Sequence, residues 1–176
     1  MPTPGRMWRH VIISTYGSWL QGDARGFRTR NHKIHSSGDY RTPPPPDEHE
    51  GLRIYQQTRD HERIVLPVEL KSIVGEAIRV KLQKLGYRLN AISVAPTHSH
   101  WLAELPCEKN EAWDVVGQGK SAASLAVRKQ LPGGIWAGKG RMIGLPTRTR
   151  MLSAYRYILE QDDSWIWSVA MDGEPQ

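Results

Sequence analysis

The residues best suited to chemistry stand together in Pro96-Thr97-His98-Ser99-His100-Trp101-Leu102. Two histidines one residue apart read as a loop running into a β-strand. Strand side chains alternate, so His98, His100 and Leu102 share an open face, with the imidazoles rooted about 6.5–7 Å apart. Thr97, Ser99, Trp101 and Ala103 point the other way, where helices can cover them. Two nitrogens so placed can reach one metal ion; two ordinary surface histidines fit the same spacing, and the pair alone leaves both readings open. A second polar set follows near the C-terminus, where Ser153, Tyr157 and Gln161 recur at four-residue steps beside an apolar stripe of Leu152, Tyr155, Ile158 and Leu159. Tyr155 therefore reads as a packing residue, while Tyr157 lies off the stripe, free to face a site. Glu160 rivals Gln161 as an oxygen ligand, because a carboxylate suits a hard cation. Its place one residue around the helix points it away from Tyr157.

These pieces combine into one chemistry. A divalent ion held by His98, His100 and Gln161 would keep open positions for phosphate oxygens and neutralise charge as Tyr157 attacks phosphorus. A phenol is a weak nucleophile until it ionises, so the metal or a nearby lysine has to assist. The resulting phosphotyrosine stores the energy of the broken phosphodiester. The hydroxyl of a second strand can then reverse the step and rejoin DNA without ATP.

Composition points to the same partner. At 176 residues the chain suits one domain, 1–176, and its formal net charge of +6 with a pI near 9.6 calls for an anionic partner, nucleic acid first, or else simply a basic soluble surface. Cys107 is the sole cysteine, which excludes an intrachain disulfide and a thiolate zinc cluster and fits a reducing cytoplasm. Met1 to Trp8 lacks the apolar core of a signal peptide, and no apolar run is long enough to cross a bilayer. The expectation is a cytoplasmic protein with no membrane partner.

The elements that must position these groups follow from periodicity. His10-Val11-Ile12-Ile13-Ser14-Thr15-Tyr16 reads as a buried first strand. From 21 to 66 the pattern dissolves into a long basic, proline-rich insertion, a loop or partly ordered arm. Arg25, Arg28 and Arg30 in it are candidate DNA contacts, although a solvated loop explains them as well; His32 and His35 read as surface or DNA-contact residues. Pro67 opens an amphipathic helix that Gly86 stops, and Tyr87 to Val94 forms a strand pairing as a hairpin with His98 to Leu105. Asn110 is the expected N-cap of a helix that Gly117 and Gly119 weaken. Lys120 on that helix is a candidate phosphate contact or an ordinary solvated lysine. Ile135 to Leu145 predicts a hairpin turning at Gly138-Lys139-Gly140, with Lys139 and Arg141 as further DNA-contact candidates. A last helix runs from Pro146-Thr147 to about Gln161, and Trp165-Ile166-Trp167 folds back onto the body. The fold class is α+β: a ferredoxin-like/RRM-like antiparallel sheet with helices mainly on one face, plus the long insertion after the first strand.

The motifs His10-Val11-Ile12-Ile13-Ser14-Thr15, Pro96-Thr97-His98-Ser99-His100-Trp101-Leu102, Lys120, Ile135-Trp136-Ala137-Gly138-Lys139-Gly140 and Tyr155-Arg156-Tyr157-Ile158-Leu159-Glu160-Gln161 span most of the chain. In this order and spacing the chain resembles the single-tyrosine HUH transposases, the small insertion-sequence and REP-associated enzymes. The resemblance implies a metal-dependent nuclease that nicks single-stranded DNA, often beside a hairpin, leaving a 5′-phosphotyrosine and a free 3′-hydroxyl. It implies His98, His100 and Gln161 as ligands of Mg²⁺ or Mn²⁺, Tyr157 as nucleophile, and a monomer or homodimer. Two departures stand out. Ser99 replaces the bulky apolar residue usual between the histidines, which is expected to weaken packing behind the motif, and the 21–66 insertion lies outside the minimal fold. A catalytically inactive or host-adopted nucleic-acid-binding relative, and a replication-initiator or relaxase-type nickase, are the alternatives.

Overall fold

Alternating β-branched and aromatic residues make Arg6–Thr15 the first strand, β1. The computed structural model describes residues 2–18, 36–37, 44–45, 47–58 and 63–170. The chain divides into two compact units, Met1–Tyr16 with Val65–Gln176, and Gly17–Ile64. In the second unit, helix α1 spans Glu50–Thr58, with Glu50 paired to Arg53 one turn on and Ser37 hydrogen-bonded to Glu48. The composition does not announce this helix. Arg25, Arg28, Arg30, His32 and His35 lie outside the described residues.

The first unit holds α2 (Val68–Lys84), β2 (Leu89–Val94), β3 (His98–Pro106), α3 (Lys109–Ala126), β4 (Trp136–Gly144), α4 (Arg148–Leu159) and β5 (Trp165–Ser168). Its five strands form one antiparallel sheet in the order β4-β1-β3-β2-β5, so the expected α+β class and the β2–β3 hairpin are present. The histidine strand is the central one. Helices α2 and α3 cover the face carrying Val11, Ile13, Ile92, Trp101 and Ala103, all fully buried. Gly75 and Gly119 permit this closeness: a β-carbon on Gly75 would stand 2.0 Å from the Trp165 ring, and one on Gly119 3.0 Å from the Trp101 ring. Helix α4 lies on the other face, where Tyr155, Ile158 and Ala154 bury Trp8, Ala91, Leu102 and Leu145.

Four expectations need correction. Helix α3 is capped by Glu108, whose carboxylate accepts the Glu111 N–H, and not by Asn110; the glutamate reaches the free amide from one turn earlier. Gly117 and Gly119 do not weaken it into a break, because Gly119 is where the Trp101 ring seats. The predicted hairpin at Gly138-Lys139-Gly140 is instead one strand, β4, paired along β1 with an irregularity between the Ile13 and Thr15 positions. Gly140 serves a close approach, since a β-carbon on it would lie 2.4 Å from the Ile12 carbonyl oxygen. Ser99 also fares differently from the expectation. It is fully buried, donates to the Ser93 carbonyl at 2.7 Å and accepts the Trp101 indole N–H at 2.9 Å, so its polarity is satisfied and it anchors the tryptophan behind the motif.

At the far end of β3, Glu104 is fully buried and takes two hydrogen bonds from Arg88, at 2.6 and 2.9 Å, and one from the Thr3 amide. The Arg88 guanidinium, chiefly, holds the Glu104 carboxyl down to about 2 from an ordinary 4.5. That stabilisation is complete above pH 4.5 and is lost as pH falls toward 2, because only the unfolded chain takes up the proton in between. Arg88→Ala should destabilise the protein by about 3 kcal/mol, the low end for breaking a buried pair because the arginine itself is half exposed, and should raise the pH midpoint of acid unfolding. Urea titrations at pH 7 and 4 measure both; an unchanged acid midpoint refutes this role for the pair.

Candidate active site

The site forms because β3 puts His98, His100 and Leu102 on one face and α4 must cover Leu102. Burying Tyr155 and Ile158 over that leucine leaves Tyr157 turned toward the histidines, as its off-stripe position predicts. Its ring centroid lies 5.3 Å from that of His100, edge to face, and 5.8 Å from that of His10. The residue is 50% exposed, so its phenol is open to a large substrate. Tyr155 packs, as expected, and donates its hydroxyl to the Val169 carbonyl.

Gln161 lies just beyond the C-cap of α4. Its amide N–H₂ donates to the Tyr157 carbonyl at 3.0 Å, which turns its Oε1 to His98 Nε2 at 3.2 Å. The chain after it is pinned. β5 begins with Trp165 opposite Val94, and Val94 stands opposite Ser99, so the turn before β5 falls at the His98 end of the sheet. The buried Lys71 ammonium reaches from α2 to bond the Asp163 carbonyl and carboxylate at 2.6 and 2.7 Å.

Thus His98, His100, Tyr157 and Gln161 converge. The other candidates do not all join them. Arg141 is exposed on β4 in register with Ile12, which itself faces His100 across β1 and β3, so it shares the histidine face and places positive charge near His10. Lys120 belongs to α3 on the opposite face. Its half-buried ammonium donates to the Ala137 carbonyl at 2.7 Å, and burial lowers its pKa. It lines a crevice of about 580 Å³ along the edge strand β4 with Lys109, Trp113, Met142 and Arg141, which the crevice also reaches. Lys139 falls within β4. Ser153 turns its hydroxyl back to the Thr149 carbonyl and takes no part in the cluster.

One residue at the site carried no local signal. His10 Nε2 lies 2.9 Å from His100 Nδ1, both rings buried. Within β1 it reads as an ordinary member of a buried strand, and only the pairing of His10 with Leu102 brings it diagonally beside His100.

The donor set fits a divalent cation. Two imidazoles and an amide oxygen meet there, and the Gln161 amide is already oriented to offer oxygen. Among the described residues no three histidine, cysteine or carboxylate side chains are arranged to hold a metal, so a site here depends on Gln161. Nor is any helix among them long and apolar enough to cross a membrane.

No protein-family model matches the chain, and no curated protein does. Among solved structures it is similar to a REP-associated tyrosine transposase bound to a REP hairpin, with 13% identity, 90% of this chain and 67% of the other covered, and a TM-score of 0.47. It is also similar to a candidate transposase from Deinococcus radiodurans R1, with 17% identity, coverage of 89% and 91%, and a TM-score of 0.47. At such identities function has to be argued from the side chains themselves.

Burial, above all, lowers the pKa of His10 to about 4, with Arg141 adding to the effect, and that of His100 to about 3, with His10 and His98 adding. Both are neutral at pH 7, with lone pairs available. Their ordinary value is 6.5, so the unfolded chain binds protons below it that the folded chain refuses. Stability of the metal-free protein is then complete above pH 6.5 and falls as pH drops toward 4. The slope approaches about 1.4 kcal/mol per pH unit for each histidine. Urea unfolding at pH 7, 6 and 5 should show it, and a flat profile contradicts a neutral buried pair.

Proposed function

We propose that this protein is a metal-dependent transposase of the single-tyrosine HUH kind, which cuts and rejoins single-stranded DNA, beside a hairpin, through a covalent bond to Tyr157. The observation that carries the reading is the meeting, on one sheet face, of a half-exposed tyrosine with two histidines and a glutamine whose amide oxygen is aimed at His98. A hydrolase using water would give that tyrosine no role.

His98 Nε2, His100 and Gln161 Oε1 would hold Mg²⁺ or Mn²⁺, which supplies charge neutralisation at a phosphate oxygen. The side chains do the rest. Tyr157 Oη bonds to phosphorus as the bond from phosphorus to the 3′-oxygen breaks. The proton lost by the phenol is balanced by the one gained at the departing 3′-hydroxyl, and the 5′ side stays attached as a phosphotyrosine. Attack by a second 3′-hydroxyl runs the same exchange backward, regenerating the phenol and joining the strands. Arg141, exposed on the same face, would meet backbone phosphates, and the +6 charge of the chain favours the encounter.

Incubation with labelled hairpin-bearing single strands and Mn²⁺ should give an adduct that survives denaturation. Tyr157→Phe should reduce it to background, while His98→Ala should weaken it severely without unfolding the protein. An adduct that persists in Tyr157→Phe removes the nucleophile assignment. Binding that ignores metal and His98→Ala, with no adduct under any condition, would mean a scaffold that binds nucleic acid without cutting it.

A further inference from the structure

We propose that His10 is the positioning residue of the metal site: its Nε2 accepts a hydrogen bond from the Nδ1–H of His100, which keeps that proton on Nδ1 and leaves the His100 Nε2 lone pair for the cation. The inference rests on the metal-site reading above and adds a residue to it.

The two rings meet at 2.9 Å between His10 Nε2 and His100 Nδ1, with centroids 5.1 Å apart, and both are buried, at 7% and 4% exposure. A hydrogen bond between two neutral imidazoles needs one N–H and one lone pair. If His100 donates through Nδ1, its Nε2 is bare. If His10 donates instead, His100 carries its proton on Nε2 and offers the cation nothing. The hydrogen bond therefore selects between a ligand and a non-ligand, which is the service that outer partners of metal-bound histidines perform.

His10 is not itself a third histidine ligand. Its Nε2 is spent on His100, and no trio of histidine, cysteine or carboxylate ligands exists among the described residues. Nor does Ser93 compete for the role. Ser93 stands across from His100 in β2, fully buried, yet its hydroxyl has no hydrogen-bond partner among the described residues. The backbone also favours precision, since His10 and His100 sit on adjacent strands held by a continuous ladder from Arg6↔Pro106 to Ser14↔His98. A ring held this way loses little orientation when a cation arrives.

The test uses Mn²⁺ alone as probe, with two readouts. Titration calorimetry should show His10→Leu weakening Mn²⁺ binding by about 10- to 100-fold, and His10→Gln, whose amide oxygen can accept the same hydrogen bond, recovering most of the loss. Nitrogen-15 shifts of the metal-free protein should show His100 protonated on Nδ1, and a mixture of tautomers in His10→Leu. His100 protonated on Nε2 in the wild type, or equal Mn²⁺ affinity in wild type and His10→Leu, overturns the inference. Binding lost in His100→Ala but untouched by His10→Leu rejects only the role of His10. A wild type that binds no Mn²⁺ rejects the metal site itself, and the role of His10 with it.

Discussion

A strand repeats every two residues, and that constraint governs the site. His98, His100 and Leu102 must share a face. Leu102 is apolar and central in the sheet, so it demands a cover, and the cover is α4. Whichever helix buries Leu102 is also delivered to the histidines two and four residues away. Tyr157 reaches them because it sits beside the buried Tyr155 and Ile158, outside the stripe that those residues form.

The glutamine depends on a second set of contacts, beyond the helix that precedes it. Gln161 falls where α4 has ended, so helical geometry alone does not hold it. Pairing of β5 with β2, the seat of the Trp165 ring on Gly75, and the bond from buried Lys71 to Asp163 fix the chain immediately downstream. An exposed ion pair contributes little, but here the ammonium is buried and bonded to a backbone carbonyl as well, so it orders the turn. The Tyr157 carbonyl then settles the rest by taking the amide N–H₂ of Gln161 and turning its oxygen to His98. Tyr157 and the Gln161 amide oxygen are thus set by one short run of backbone.

Charge is distributed unevenly around this arrangement. Arg141 shares the histidine face, whereas Lys120 works behind the sheet, tying α3 to β4 through the Ala137 carbonyl. Positive charge near His10 and burial of both rings act in the same direction, keeping the imidazoles neutral. Neutral imidazoles are the form that can bind a cation. A chain of net charge +6 can therefore attract a polyanion and still present uncharged nitrogens at the centre of its site.

Much of this is legible in the sequence itself. The sequence by itself determined the face shared by His98 and His100, the hairpin of β2 with β3, the packing role of Tyr155 and the outward turn of Tyr157, because each follows from a period of 2 or 3.6 within one segment. It misdirected at β4, where Gly140, which avoids a clash with the Ile12 carbonyl, looks like part of a turn, and at Ser99, whose partners Ser93 and Trp101 become neighbours only in the folded strands. Tertiary structure alone decided that Ile12, His10 and Arg141 lie on the histidine face, that Lys120 lies on the other, and that His10 touches His100. Those facts depend on strand order and register across 90 residues of chain. Each segment's pattern says which of its side chains share a face, but which distant strand lies beside it, and in what order, is settled only when the faces bury together.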